Sequence, residues 1–418
     1  MAGSYSDITI IGAGPSGSLA AWESMQSSSE ASVSVLEEHS QVGLPPHCSG
    51  LISLEGFRNL GVNLKNLKRN LGYNAIRRAK FVGPNYNSVE IDRGIEAMGV
   101  FDRPALDRYI AKRTKESGCK YKLGLRIKQI KFDGSHWQLH SMQNDKKEVH
   151  RSKMLISAEG IHANLSNSIG LPVPDKNWCL PAIQYELENI QDIEPDCVEL
   201  YFGRKYAPGF FGWFIPINEN SARIGIAVGS WCKGQTRFFM NYFLKKHPLL
   251  YKRLRKGKII NSYGGFVPAA GPVNRTYSRN FMTVGDAAGQ SKATTGGGVN
   301  IGGYCGRLAG LMARRIISDE ISAKAGCREY QQRWQARFEP DLSLLKLFRR
   351  MMSPLPDKTW NSIIHIAIET DIGKSLKSTN IDLHGLGLLK YAFTPNVFIK
   401  GLRLIPQTAV SLLHGLTF

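Results

Sequence analysis

The chain has 418 residues, enough for two or three domains, and its 42% apolar and 21% charged content is that of an ordinary globular protein, not a disordered or fibrous one. Its formal net charge of +20 attracts polyanions such as anionic lipid surfaces, phosphorylated substrates or nucleic acid. The absence of a basic–aromatic stripe, a helix-turn-helix pattern or a zinc pattern argues against nucleic acid as the partner, and no window reaches the ~18 continuous apolar residues of a spanning helix.

Ile8, Thr9, Ile10 and Ile11 predict a short buried parallel strand. Gly12, Gly14 and Gly17 follow it in the spacing G-x-G-x-x-G, and the run from Ser18 to Trp22 opens a helix. In that pattern the first glycine permits a tight turn, the second lets backbone approach a pyrophosphate, and the third lets helix and strand pack closely. The anion then lies at the positive end of a helix. A second strand, 33–36, ends in Glu37, whose carboxylate stands where a ribose hydroxyl needs an acceptor. No basic leader precedes the first strand, and the seven scattered cysteines form no C-x-x-C pair or metal cluster. A cytoplasmic, reducing setting is expected.

Residues 43–56 form a Gly/Pro/Cys loop, and Val89-Glu90-Ile91 alternate as in a strand. A helix is expected over 101–115 with Pro104 in its first turn, then strands near 120–131 and 136–142 hinged at Asp133-Gly134, and a buried strand over 153–158. Residues 176–264 look mostly β, with strands in 197–203, 209–217 and 221–229, the last two joined by Asn218-Glu219-Asn220. A strand over 281–284 delivers Gly285-Asp286, and Gly296-Gly297-Gly298 open a further helix. Asp286 is placed to accept from a sugar-chain hydroxyl, and the glycines bring backbone N–H groups against a ring system or phosphate. The richness in glycine, 42 residues, suits several backbone-contacted ligand sites. From about 326 the pattern is helical, and 385–418 is basic and amphipathic, with no acid after Asp382. Packing on the body and lying on a membrane interface both remain open for that segment.

The expected fold class is α/β. A Rossmann-like nucleotide-binding domain takes 1–75, 100–175 and 265–325, a mostly-β substrate domain takes 76–99 and 176–264, and a helical region takes 326–418.

Together, GAGPSG, Arg103 in FDRPALD and GDAA…TGGG resemble the three-part FAD signature of the flavoprotein hydroxylases and reductases. EEHSQVGLPPHCSGLIS (37–53), FDRPALD (101–107), SAEG (157–160), PGFFGWFIP (208–216) and GDAAGQSKATTGGGV (285–299) narrow the resemblance to the geranylgeranyl reductase family, across about 5–315. Members of that family saturate isoprenoid double bonds, typically of archaeal digeranylgeranylglycerophospholipids or of geranylgeranyl chains in pigment synthesis. The resemblance implies FAD as cofactor, an isoprenoid lipid as substrate and NADPH or ferredoxin as electron donor; peripheral contact with an anionic membrane is expected from the net charge and the basic C-terminal stretch. It carries cofactor contacts onto Gly17, Glu37, Cys48, Ser49, Gly50, Arg103, Asp286, Gly298 and Val299, and onto Ile127 through the strand after Gly118. Gly12 and Gly14 join them through the glycine turn. No metal site is expected.

The resemblance implies that Cys48 sits beside the flavin and the reacting alkene, and a thiol there is the candidate proton donor or positioning group, since it can donate a proton. Trp213 is placed in the wall of a lipid tunnel, with Phe210, Phe211 and Phe214 as further lining, though strand alternation lets only some of them face one side. The family pattern there is Y-x-W-x-F-P; this chain carries Phe211 and Ile215 at the outer positions, which leaves the wall wholly apolar. Glu159 replaces an aspartate, and Lys292-Ala293 stands where many members have Asp-Pro. Lys292 then either stabilises negative charge on a reduced flavin or is a solvated loop lysine. The same FAD elements admit two rival enzymes: a monooxygenase, and a halogenase with Lys80 as its nearest catalytic lysine. A non-catalytic, flavin-bound membrane-surface or assembly factor is the third alternative.

Overall fold

The apolar run at the start of the chain is a strand, Ser4–Ile11, lying parallel to Val33–Leu36 on one side and to Lys146–Ser157 on the other, with Ile8 opposite both Val33 and Met154. Ile8 and Ile10 are fully buried, as expected of a central parallel strand covered on both faces. The structure is a computed structural model that describes residues 4–26, 31–46, 48–143 and 146–402. The chain divides into two compact units, the first made of Met1–Pro46, Asp102–Lys176 and Ala270–Ser343, the second of His47–Phe101, Asn177–Ala269 and Leu344–Phe418.

The sheet of the first unit continues through Lys120–Lys122 at one edge and through Phe281–Thr283 and Tyr277–Ser278 at the other. The hairpin Ile127–Phe132/Trp137–Gln143 pairs with the long strand Lys146–Ser157, and its turn holds Gly134 at φ +104° beside an Asp133 carboxylate that accepts the His136 and Ser135 N–H groups. The helix Arg103–Glu116 begins two residues later than the sequence suggests, because the Asp102 carboxylate caps it at Ala105 N, 3.0 Å away.

Much of the glycine serves packing. The helix Val299–Ile317 lies against the first helix, Pro15–Ser24, through Gly302, Gly306 and Gly310. A Cβ at Gly306 would strike Ser16 O, one at Gly310 would strike Ala20 O, and one at Gly302 would come within 2.6 Å of Ser16 Oγ. Spaced four apart, the three share one helix face and let two backbones approach directly. Ligand contact accounts for only part of the glycine content.

The second unit is built on a seven-stranded sheet in the order Lys258–Pro268, Cys179–Glu188, Ala222–Ala227, Gly212–Pro216, Cys197–Tyr201, Arg78–Val82, Ser88–Asp92, beside a small sheet of Leu51–Ser53, Met98–Val100 and Asn74–Ile76. Residues 176–264, expected to be mostly β, also hold two helices, Thr236–Lys246 and Pro248–Leu254, which bury Met240, Phe243, Leu250 and Leu254 in one sheet core with Phe214 and Ile224. Trp213 and Ile215, alternating with Phe214, join a second core with Phe210, Phe211 and Trp360. Residues 209–217 do not form one strand. Pairing begins at Gly212, and Gly209 turns the chain at φ +84°. The C-terminal stretch is helical at Ala323–Met352, Asp357–Glu369, Ile372–Leu376, Gly385–Ala392 and Pro395–Leu402; 403–418 lies outside the described residues.

Candidate active site

In the first unit the glycine turn is built by what lies behind it. Gly12 adopts φ +97°, and a Cβ there would strike Ala158 O; one at Gly17 would strike Gly12 O. Gly14 differs: its φ is −65°, it caps the first helix, and nothing lies within 4 Å of where its Cβ would be. No side chain among the described residues caps that helix and none of its first-turn residues is acidic, so its N-terminal N–H groups point into the open side of the turn. Glu37 closes the turn: Oε2 accepts Ala13 N–H at 2.8 Å, and Oε1 accepts His39 N–H and lies 2.6 Å from His39 Nδ1.

Gly298 and Val299 start the helix Val299–Ile317, whose N-cap is again a glycine without a side chain to offer and whose first turn carries no acid. A Cβ at Gly298 would stand 3.0 Å from Asp286 Oδ1, so these two expected site residues adjoin. Burial pushes the Asp286 carboxyl up to about 6, against the pull of the Arg103 charge. Arg103 donates from its Nη2 alone to both Asp107 carboxylate oxygens, at 3.0 and 3.1 Å, and burial raises the Asp107 carboxyl despite that partner. Ile127 is buried at the start of its strand, in a core with Ile11, Leu36 and Leu125. Two helix N-termini with glycine at the cap and no acid in the first turn, an open glycine turn and two carboxylates beside them fit a dinucleotide with sugar hydroxyls and a pyrophosphate.

Two residues that depart from the resembled motifs have local partners. Glu159 accepts from Leu165 N, Ser166 N, Ser166 Oγ and Ser157 Oγ at 2.8–2.9 Å, so its extra methylene lets it cap the short helix Asn164–Ser168. Lys292 is buried and its Cε lies 2.9 Å from a Cβ built at Gly297, which rules out a solvated loop lysine.

In the second unit, Cys48, Ser49 and Gly50 form the loop before Leu51–Ser53. The Gly50 N–H donates to Cys48 Sγ at 3.4 Å, and of the seven free thiols only Cys48 and Cys179 are not buried. Gly50 has φ +80°, and a Cβ there would collide with Phe101 O and with Arg223 Nη1. That arginine, which sequence reasoning passed over, donates through Nη1 to both Ser49 O and Phe101 O at 2.8 Å and faces Glu186 at 3.5 Å. Its signal was available: it is the sole charge in the apolar run 221–229.

Trp213 stands directly opposite Gly225, and Gly225 opposite Gln184. The missing side chain at Gly225 leaves the indole room to cross the intervening strand and donate from Nε1 to Gln184 Oε1 at 2.9 Å. Phe210 stacks on Phe211 at 4.1 Å and Phe211 meets Trp213 edge-on at 6.3 Å. Phe214 points to the other face under Arg253, so of the four expected lining residues it is the one set apart. A second unanticipated arginine, Arg349, donates to Gly209 O at 3.3 Å and lies 4.3 Å over Phe210, while Ser353 Oγ donates to the same carbonyl. Lys80 is engaged with Glu194 at 2.9 Å.

A family model for the geranylgeranyl reductase catalytic domain matches residues 179–267, the stretch that holds Gln184, Trp213 and Gly225. The chain is 28% identical to a digeranylgeranylglycerophospholipid reductase of Methanocaldococcus jannaschii over 89% of this chain and 93% of that one. It is 27% identical to a second such reductase, from Methanopyrus kandleri, over 90% and 93%. Among solved structures, a geranylgeranyl bacteriochlorophyll reductase-like protein of Thermoplasma acidophilum superposes with TM-score 0.83 at 22% identity, covering 96% of this chain and 99% of that one. A myxobacterial FAD-dependent halogenase superposes with TM-score 0.71 at 15% identity, covering 98% and 97%, a likeness of fold alone.

Proposed function

We propose that this chain, a member of the geranylgeranyl reductase family, is an FAD-dependent reductase that saturates C=C bonds of geranylgeranyl chains in archaeal-type isoprenoid membrane lipids. The observation that carries the reading is the row Trp213–Gly225–Gln184 inside the matched catalytic segment, an indole laid over Gly225 and held at its Nε1 by Gln184 among apolar neighbours. The halogenase and monooxygenase readings gain no observation of their own.

In this reading Gly12, Gly14 and Gly17 receive the pyrophosphate, Glu37 a ribose, and Asp286, Arg103, Gly298 and Val299 the flavin half, with Ile127 behind and Cys48, Ser49 and Gly50 contributing from the thiol loop. Bound and reduced, FAD supplies the hydride for one alkene carbon. The protein does the rest. An isolated alkene has no carbonyl to polarise, so the chain must be held in one pose with water excluded while a proton reaches the adjacent carbon. Trp213 cannot swing, because Gln184 holds its Nε1 and Gly225 supports its face. Cys48 Sγ is the proton donor, and its loop is fixed by Arg223 at Ser49 O. The thiolate left behind is reprotonated from solvent.

The electron donor is NADPH or ferredoxin, and the protein is cytoplasmic and peripheral on an anionic membrane. Among the described residues no helix is long and apolar enough to cross a membrane. The test is anaerobic: the purified yellow protein is reduced with dithionite, digeranylgeranylglycerophosphate is added, and the product mass is read. A gain of two hydrogens per reduced bond is expected. An unchanged lipid beside a flavin that stays reduced overturns the reading.

A further inference from the structure

We infer that the outer face of the helix pair Thr236–Lys246 and Pro248–Leu254, with the turn at Trp231 before it, is the surface by which this protein docks on an anionic lipid bilayer. The inference rests on the lipid-substrate reading for its purpose and on separate observations for its place.

The first observation is charge. Between Glu219 and Asp286 the sequence contains no Asp or Glu and twelve Lys or Arg. Two of those cations are held in ion pairs, Arg223 with Glu186 and Arg253 with Glu199, while Arg275 donates to Gly170 O and Arg279 lies over Phe132. Arg237, Lys245, Lys246, Lys252, Arg255 and Lys256 are all exposed, and none makes an ion pair among the described residues. Basic residues commonly sit at helix C-termini to offset the macrodipole, which accounts for Lys245, Lys246 and Lys252. It does not account for Arg237 in a first turn, nor for Arg255 and Lys256 beyond the helix end.

The second observation is exposed apolar surface on the same elements. Trp231 is 55% exposed, Phe238 63%, Tyr251 53% and Leu249 44%. On the first helix Phe238, Asn241 and Lys245 follow one another at i, i+3, i+7, and on the second Leu249 and Lys252 stand three apart on one face. Both helices bury their opposite sides in one sheet core, so these stripes face outward on one side of the sheet. Trp231 is held from beneath, since its ring fills the space above Gly209 and Gly229.

Cations alone suit any polyanion. Cations interleaved with half-exposed Trp, Phe, Tyr and Leu suit an interface with phosphate above and acyl chains below, because the apolar side chains gain by entering the acyl boundary. A nucleic acid would leave the leucine and much of the phenylalanine without a partner. The basic C-terminal helices Gly385–Ala392 and Pro395–Leu402 are the rival surface, but there Lys400 pairs with Glu369.

The experiment is flotation of the full-length, FAD-loaded protein with vesicles of equal parts phosphatidylglycerol and phosphatidylcholine, and with phosphatidylcholine alone. The wild type is expected to float with the anionic vesicles and to be released by salt. The triple variant Lys245→Gln/Lys246→Gln/Lys252→Gln is expected to bind roughly 100-fold more weakly, at the usual worth of three surface cations. Phe238→Ser is expected to weaken binding and to make what remains fully salt-sensitive. A chain ending at residue 384 is expected to float as the wild type does. The inference is overturned if the triple variant floats like the wild type, if removing residues 385–418 alone abolishes flotation, if neutral vesicles bind equally well, or if polyuridylate outcompetes the anionic vesicles. No turnover is read. A protein that docks through this face yet leaves the lipid unreduced counts against the function alone, and one that reduces detergent-dispersed lipid yet does not float counts against this surface alone.

Discussion

Adding one methyl group at Gly14 and one at Gly17 should have opposite consequences, and the difference tests whether the glycine turn holds a ligand. In Gly17→Ala the new Cβ strikes Gly12 O, far inside the 3.0 Å below which real Cβ contacts essentially do not occur, and both partners are backbone. The helix must lift off the strand, at a cost of about 3 kcal/mol or more to the protein itself. In Gly14→Ala the Cβ meets no protein atom within 4 Å and the backbone is already extended at φ −65°. The lost freedom of the unfolded chain contributes about 0.4–1 kcal/mol in favour of folding. The poorer helix cap costs about half a kcal/mol, so the stability of the flavin-free protein should barely change.

Cofactor affinity should separate the pair. If backbone N–H groups at Gly14 meet a pyrophosphate, the methyl group stands between them. One charge-assisted hydrogen bond lost is worth about 1.5–3 kcal/mol, or roughly tenfold to a hundredfold in affinity. The assay has two arms: calorimetric unfolding of flavin-stripped protein, and titration with FAD followed by quenching of its fluorescence. Gly14→Ala should unfold like the wild type and bind FAD more weakly; Gly17→Ala should unfold at lower temperature before any flavin is added. Wild-type FAD affinity in Gly14→Ala would refute the placement of the pyrophosphate. Wild-type stability in Gly17→Ala would refute the packing argument.

Cys48→Ala should keep its bound flavin, since the Arg223 clamp on Ser49 O survives although the Gly50 N–H loses its Sγ acceptor, and should lose most alkene reduction; full turnover in that variant removes the thiol from the mechanism. Burial among Tyr86, Tyr201, Tyr206 and Phe243, helped by the Lys205 charge, lowers His247 from 6.5 to about 4. The unfolded chain therefore takes up a proton below pH 6.5 that the folded chain refuses until about 4, and stability falls across that window by up to about 3 kcal/mol. His247→Phe should flatten this loss in urea unfolding compared at pH 7 and pH 5; an unchanged difference would exclude His247 as its source. Asp286 is shifted the other way, up from 3.8 to about 6, so its protonated form stabilises the flavin-free protein at low pH and that contribution fades as pH rises through 6. Asp286→Asn should then match the wild type near pH 4, exceed it at pH 7.5 by at most about 3 kcal/mol, and bind FAD less tightly at both. A constant stability gap across pH would show that the carboxyl does not titrate as its burial implies.

What could be read from the sequence was whatever a local pattern encodes. The strand Val33–Leu36 is a run of four buried residues, the hairpin at Asp133-Gly134 announces itself by turn chemistry, and the loop Asn218–Asn220 joins its two strands as expected, with Ile217 N donating to Ser221 O. The helix start near Phe101 was misjudged by two residues because Phe101 N is committed to Gly50 O, a partner 51 positions away that no window reveals. Arg349 and Gly209 are separated by 140 residues, and the lone Arg223 signals that it must have partners without saying which. The glycines show the limit most sharply. Gly12, Gly17, Gly302, Gly306 and Gly310 are each required by protein backbone or a serine side chain on the other side of the missing Cβ, whereas Gly14 faces open space. A spacing such as G-x-G-x-x-G therefore marks a place where a ligand can lie, but which of its glycines the ligand itself requires depends on what stands opposite each one. That is fixed by residues as remote as Ala158, and here it leaves Gly14 as the one glycine of the turn whose missing side chain the packing of the protein does not require.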